Sequence, residues 1–127
     1  MFTCVHDKND LRSAVVKEAC LLLEKLAVQS GDNMRHLMRD ICVPLLHLLA
    51  NGNGVIVEMV DKCMRQIIKH SRFPRQIKDF VYQARSSRSK DLRESVANYI
   101  LLMLREWPPG ALEREVDNLA GIIRVCM

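Results

Sequence analysis

The sequence predicts an all-α solenoid of about three antiparallel helix pairs, six helices in all. Three observations predict it. First, one phrase occurs twice. Asp10-Leu11-Arg12-Ser13-Ala14-Val15 opens one helical stretch, and Asp91-Leu92-Arg93-Glu94-Ser95-Val96 opens another. Overlaid, Val15 meets Val96, Leu21 meets Leu102, Leu23 meets Leu104 and Leu26 meets Trp107. Second, the offset is roughly two periods of a 40-residue repeat, and a weaker copy lies between. Its apolar set, Ile56, Val60, Cys63, Met64 and Ile67, repeats the pattern of Val15, Ala19, Leu22, Leu23 and Leu26. Third, apolar residues make up 49% of the chain and aromatics only 5%. That mix suits helix-on-helix packing better than a sheet sandwich, and it excludes disorder.

Self-similarity at this period marks a helical solenoid of HEAT or armadillo type. Each unit is a helix pair that cannot bury its apolar face alone, so neighbours must stack. At 127 residues the chain is one domain's worth. Residues 1–9 read as a lead-in and residues 10–127 as the repeat domain.

The first helix runs from Asp10 to Ala27, with Asp10 or Ser13 as its expected cap. Its apolar positions are Val15, Val16, Ala19, Cys20, Leu22, Leu23, Leu26 and Ala27, at helical spacing. Ser30-Gly31-Asp32 breaks it. The second helix starts near Asn33 and carries Met34, Leu37, Met38, Ile41, Leu45, Leu48 and Leu49. Pro44 inside it removes a backbone hydrogen bond and should bend it. Asn51-Gly52-Asn53-Gly54 predicts a turn with unusual backbone angles. The third helix spans about Val55 to His70, with Lys62, Arg65, Lys69 and His70 off its apolar face. Pro74 is placed as a first-turn proline before a short fourth helix of Ile77, Phe80, Val81 and Ala84. A basic turn, Arg85 to Lys90, precedes the fifth helix, Asp91 to Trp107. Pro108-Pro109-Gly110 stops that helix, and a sixth follows with Leu112, Val116, Leu119, Ala120, Ile122 and Ile123. The first, third and fifth helices should form one layer and the second, fourth and sixth the other. Nothing before Asp10 pairs with the first helix, and Ile123, Val125 and Met127 keep the end apolar. The pattern predicts a segment of a longer array, or end faces that meet a partner.

The search for chemistry returns little. The five cysteines, Cys4, Cys20, Cys42, Cys63 and Cys126, are odd in number and form no CxxC. They read as reduced cysteines in a soluble intracellular chain. No signal peptide or long apolar run occurs. There is no phosphate-binding glycine loop, nucleophile elbow or HExxH motif. His36 and Asp40 share a helix face, but a metal site needs more ligands. Glu113, Glu115 and Asp117 read as a solvated face. No enzyme, metal or cofactor is expected. Trp107 ends an apolar stripe and should be core.

What remains is a basic ridge. The net charge is +4, and much of the positive charge lies between Arg72 and Arg93. In a stack of helix pairs, the turns before the phrase helices emerge on one edge. Arg12, Arg88, Lys90 and Arg93 would line it. Guanidinium groups pair with carboxylates in forked geometry, so such a ridge suits an acidic protein surface.

The run from Asp10 to Cys20, DLRSAVVKEAC, resembles the second repeat of a TOG domain of the CLASP type. Later pieces keep that order: Val43-Pro44-Leu45, Ile67-Ile68-Lys69-His70 to Pro74-Arg75, and Leu101 to Trp107. The resemblance covers nearly the whole chain from Asp10. It implies a paddle of HEAT repeats that binds αβ-tubulin or microtubules along one edge, through the turns inside each repeat. It implies promotion of microtubule rescue, suppression of catastrophe and no hydrolysis. Carried over by position, the binding turns hold Asp10, Leu11 and Arg12; Asn51 and Asn53; and Arg88, Lys90 and Arg93. The implied location is the cytoplasmic microtubule cytoskeleton, with the spindle as one candidate place. There are departures too. TOG domains have about six repeats, a first-repeat tryptophan to which Trp107 is not equivalent, and often a lysine in the third turn. The alternative reading is a HEAT-repeat scaffold for a non-tubulin protein, which could self-associate through its apolar ends. Nucleic-acid binding by the Lys62 to Arg93 cluster is disfavoured, because no exposed aromatics or groove-reading motif accompany it. No membrane or small-molecule substrate is expected.

Overall fold

The computed structural model describes the backbone of residues 8–126 and the side chains of residues 11–121 and of Arg124. Among the described residues there is no strand. The helices are α1 (Lys8–Ser30), α2 (Arg35–Asn51), α3 (Gly54–His70), α4 (Ile77–Ser86), α5 (Lys90–Glu106), α6 (Pro109–Leu112) and α7 (Val116–Cys126). Short 3₁₀ turns occupy Gly31–Met34, Pro74–Gln76 and Glu113–Glu115. No described helix is long and apolar enough to cross a membrane.

The predicted layers are present. α3 packs on α1 and α5, α4 packs on α2 and α7, and α2 and α5 join the layers. Among the described residues, four polar links tie one period to the next through α1, α3, α5 and the connections that follow them. Cys63 Sγ donates to the Cys20 carbonyl at 3.6 Å. Arg72 grips Asp32, with its backbone N–H 3.0 Å from Asp32 Oδ1. Tyr99 Oη donates to Asp61 at 2.6 Å. Trp107 Nε1 donates to the Ile68 carbonyl at 2.9 Å. The partners lie 43, 40, 38 and 39 residues apart. Since both members of each pair advance together, α1, α3 and α5 run parallel. The 43- and 38-residue steps together account for the 81 residues between Asp10 and Asp91.

α3 is the middle of this sandwich, and six of its apolar residues, Ile56, Val60, Cys63, Met64, Ile67 and Ile68, are buried. Full burial of one aliphatic side chain is worth about 1.5–3 kcal/mol, so α3 contributes most to the core. Trp107 is core as expected, 4% exposed. It meets Phe73 edge-on at 5.0 Å between centroids. Phe73 stacks with Phe80 at 6.3 Å, and Phe80 meets Tyr99 edge-on at 6.2 Å. One row of rings thus joins the α3–α4 connection to α4 and α5. Cys20, Cys42 and Cys63 are buried free thiols. Burial pushes the Cys42 thiol well above its usual pKa. Cys4 lies outside the described residues, as does the side chain of Cys126.

Several expectations are corrected. α1 is already helical at Lys8, so Asp10 and Ser13 lie inside it and do not open it. Its buried face is also narrower than the expected one. Cys20 and Ala27 are buried with Val16 and Leu23 packed beside them, while Val15, Ala19 and Leu22 are exposed. α1 meets one neighbour in its layer, α3, so only part of its wide apolar arc is covered. The Asn51–Gly54 turn has no positive φ; among the described residues only Gly31 does, at 54°. Gly31 stops α1 in the left-handed conformation that glycine adopts without strain. The sixth helix is split into α6, a 3₁₀ turn and α7, because Pro109 starts a new helical turn that the following turn does not continue. α2 passes through Pro44 unbroken, with Pro44 exposed on its solvent side. The apolar end expected at Ile123, Val125 and Met127 lies outside the described side chains.

Candidate protein-binding edge

The parallel course of α1, α3 and α5 brings their N-terminal ends to one edge. Three segments meet there: the start of α1, the α2–α3 turn and the α4–α5 turn.

The α2–α3 turn is only two residues long, Gly52 and Asn53. Gly52 N–H closes α2 on the Leu48 carbonyl at 2.8 Å. Asn53 caps α3: its Oδ1 accepts from Ile56 N–H at 2.9 Å. An asparagine here satisfies a helix donor that would otherwise lack a partner. Gly52 is required by space, not by angle. A Cβ there would lie 2.5 Å from the Leu48 carbonyl oxygen and 2.9 Å from Ile56 Cγ2.

The α4–α5 turn, Ser87–Ser89, is held more firmly. Ser87 Oγ accepts from Ser89 N–H at 3.0 Å, and Ser89 Oγ accepts from Leu92 N–H at 3.1 Å. Arg93 turns back and donates from Nη1 to the Ser87 carbonyl at 2.8 Å.

The eight sequence candidates therefore separate into groups. Asn53 and Arg93 build the turns that carry the others. Leu11, Arg12, Asn51, Arg88 and Lys90 are exposed. The side chain of Asp10 lies outside the described residues. Leu11 is 56% and Val55 60% exposed, each in the first turn of its helix, so the basic tips are flanked by apolar ones. Asp91 and Glu94 are exposed close to Lys90, which tempers the positive charge of the ridge. The edge can pair with carboxylates and cover a small apolar contact.

The sequence profile of the CLASP N-terminal family matches residues 3–127. The chain belongs to that family. Relatives of this CLASP N-terminal chain include CLIP-associating protein 1-A of Xenopus laevis, 32% identical over 116 residues and 91% of the chain. CLIP-associating protein of Drosophila melanogaster is 27% identical over 117 residues, 92% of the chain. CLIP-associated protein of Arabidopsis thaliana is 29% identical over 119 residues, 93% of the chain. The CLASP N-terminal chain spans about 8% of the length of each of these three proteins.

Sequence reasoning overlooked a second basic region, on the opposite edge. A cavity of about 520 Å³ there is lined by Arg35, Arg39, Arg72 and Arg75, among others. No group of three or more His, Cys, Asp or Glu converges to hold a metal among the described residues.

Proposed function

We propose that this chain is a non-catalytic, microtubule-associated interaction module that binds αβ-tubulin through the edge formed by α1, the α2–α3 turn and the α4–α5 turn. One observation carries the reading: in a CLASP-family chain, α1 exposes Arg12, and the α4–α5 turn with the start of α5 exposes Arg88 and Lys90, on the edge where the N-terminal ends of the three parallel helices lie. Guanidinium and ammonium groups on short, hydrogen-bonded turns suit the carboxylates of an acidic protein surface. Leu11 and Val55 supply apolar contact beside them. In this reading Asn51 contributes polar contact, while Asn53 and Arg93 keep the turns in shape. The module acts in the cytoplasm on the microtubule cytoskeleton and regulates microtubule dynamics.

The test is co-elution with unpolymerised αβ-tubulin on a sizing column, at low and then moderate salt. A shifted peak that weakens with salt is expected. The combined substitutions Arg12→Glu, Arg88→Glu and Lys90→Glu should abolish the shift and leave the melting temperature unchanged. Binding that survives these changes sinks the edge assignment. The second reading, a HEAT-repeat scaffold for a non-tubulin protein, draws on the exposed Val15, Leu22 and Val28 of α1. It gains if the unaltered chain produces no shift at low salt.

A further inference from the structure

We infer that the cavity between the start of α2 and the α3–α4 connection receives a phosphorylated serine or threonine of a partner peptide. The cavity measures about 520 Å³ and lies on the edge away from the proposed tubulin contact.

Its charge is arranged for an anion. The Arg72 guanidinium is engaged by Asp32. That leaves Arg35, Arg39 and Arg75, all exposed. The ion contact of Arg39 is with Asp40 at 3.9 Å, and both side chains are more than 70% exposed. Such a contact is worth little and yields readily. Three guanidinium forks around one cavity match a dianion with three acceptor oxygens better than a single carboxylate. Arginine clusters are a recurring way of reading phosphorylated segments.

A second observation is independent of charge. Gln76 lines the same cavity and is only 7% exposed. Its carboxamide can donate to a phosphate oxygen or accept from a peptide N–H. A smaller cavity of about 200 Å³ shares Asp32 and Arg72 with the first. It is lined by Ser71, whose buried Oγ has no hydrogen-bond partner among the described residues, and a buried hydroxyl left so is costly and set up for an outside partner. Phe73, Pro74 and Ala111 give the main cavity an apolar wall. A bare phosphate would leave that wall unused, whereas the residue beside a phosphoserine would cover it.

The probe is a short fluorescein-labelled peptide with a phosphoserine followed by leucine, titrated with the full chain by fluorescence anisotropy. Saturable binding is expected, and it should disappear for the unphosphorylated peptide. Arg35→Glu with Arg75→Glu should weaken it at least about tenfold. Lys17→Glu with Lys62→Glu makes the same change in net charge away from the cavity and should alter it less than about twofold. In the unaltered chain, the side-chain amide signals of Gln76 should shift on addition of peptide. The proposal is overturned by any of four results. These are no saturation, equal loss in both charge variants, displacement by inorganic phosphate at the peptide's own concentration, or equal affinity for a single-stranded oligonucleotide. Tubulin co-elution does not bear on it, since the two edges share none of the residues altered.

Discussion

Gly52 in the α2–α3 turn and Gly54 at the start of α3 stand two residues apart, and the structure assigns them opposite responses to the same substitution. At Gly52 an added methyl group would meet the Leu48 carbonyl oxygen at 2.5 Å and Ile56 Cγ2 at 2.9 Å. The first atom is backbone at the end of α2 and belongs to the bond that closes the helix. Ile56 is fully buried and can move only by disturbing the core. Forcing a buried side chain aside costs about 1–3 kcal/mol. Losing the Gly52 N–H bond to Leu48 adds about 1 kcal/mol. Gly52→Ala should therefore destabilise the chain by roughly 2–4 kcal/mol. At Gly54 a Cβ meets nothing within 4 Å, and φ is not positive. Gly54→Ala should stabilise by about 0.4–1 kcal/mol, because it restricts the unfolded chain at no cost to the folded one. Urea unfolding followed by far-ultraviolet circular dichroism measures both. If Gly52→Ala falls within about 0.5 kcal/mol of the parent, the close-approach argument fails. If both variants are equally destabilised, the turn needs its glycines for backbone angles after all.

Two further outcomes follow from the links between periods. Trp107→Phe removes the N–H donated to the Ile68 carbonyl at 2.9 Å inside the core. It should cost about 1–3 kcal/mol in the same urea assay, and a change below about 0.5 kcal/mol would show that the bond adds nothing to packing. Asp32 is held below the usual carboxylate range, chiefly by the Arg72 guanidinium. A depressed carboxylate stabilises the fold above its unfolded pKa, and that contribution fades as pH falls through the folded value. Asp32→Asn should thus be less stable than the parent at neutral pH and should converge with it in acid. A gap that persists to low pH would assign the effect to shape, not charge.

The fold was legible where one period repeated and neighbours filled both sides. Ile56, Val60, Cys63, Met64 and Ile67 are buried as read, because α3 has partners on either hand. The same letters misled on α1, where Val15 and Leu22 are exposed. A wide apolar arc says that a helix can be covered, and only its neighbours decide which part is. Turn residues were found, but not the reason for them. The glycine of Asn51-Gly52-Asn53-Gly54 serves a close approach between α2 and α3, which local sequence does not encode. Arg93 was counted with the free basic tips, since no pattern foretells a side chain folding back six residues onto the Ser87 carbonyl. The cavity on the opposite edge escaped, although Arg72 and Arg75 belong to the basic stretch that the sequence shows. Arg35 and Arg39 are four apart, Arg72 and Arg75 sit one period later, and only the stacking of repeats unites them. Reading both ends of each repeat, and not only the turns before the phrase helices, would have exposed that cluster.

The two flanks of the candidate edge are built to different stiffness. The Arg88–Lys90 end rests on a turn stitched by both its serines and by Arg93. The Arg12 end rides on α1, whose outer flank leaves Leu11, Val15 and Leu22 uncovered. α1 packs chiefly on α3, whereas α5 packs on α2, α3, α4 and α7, and a helix with fewer packed neighbours yields first. A rigid surface docking along this edge would find its register at the stitched end and be followed by the compliant one. Curvature mismatch with a partner would then be absorbed by a tilt of α1, and the α3–α5 pair would keep its shape.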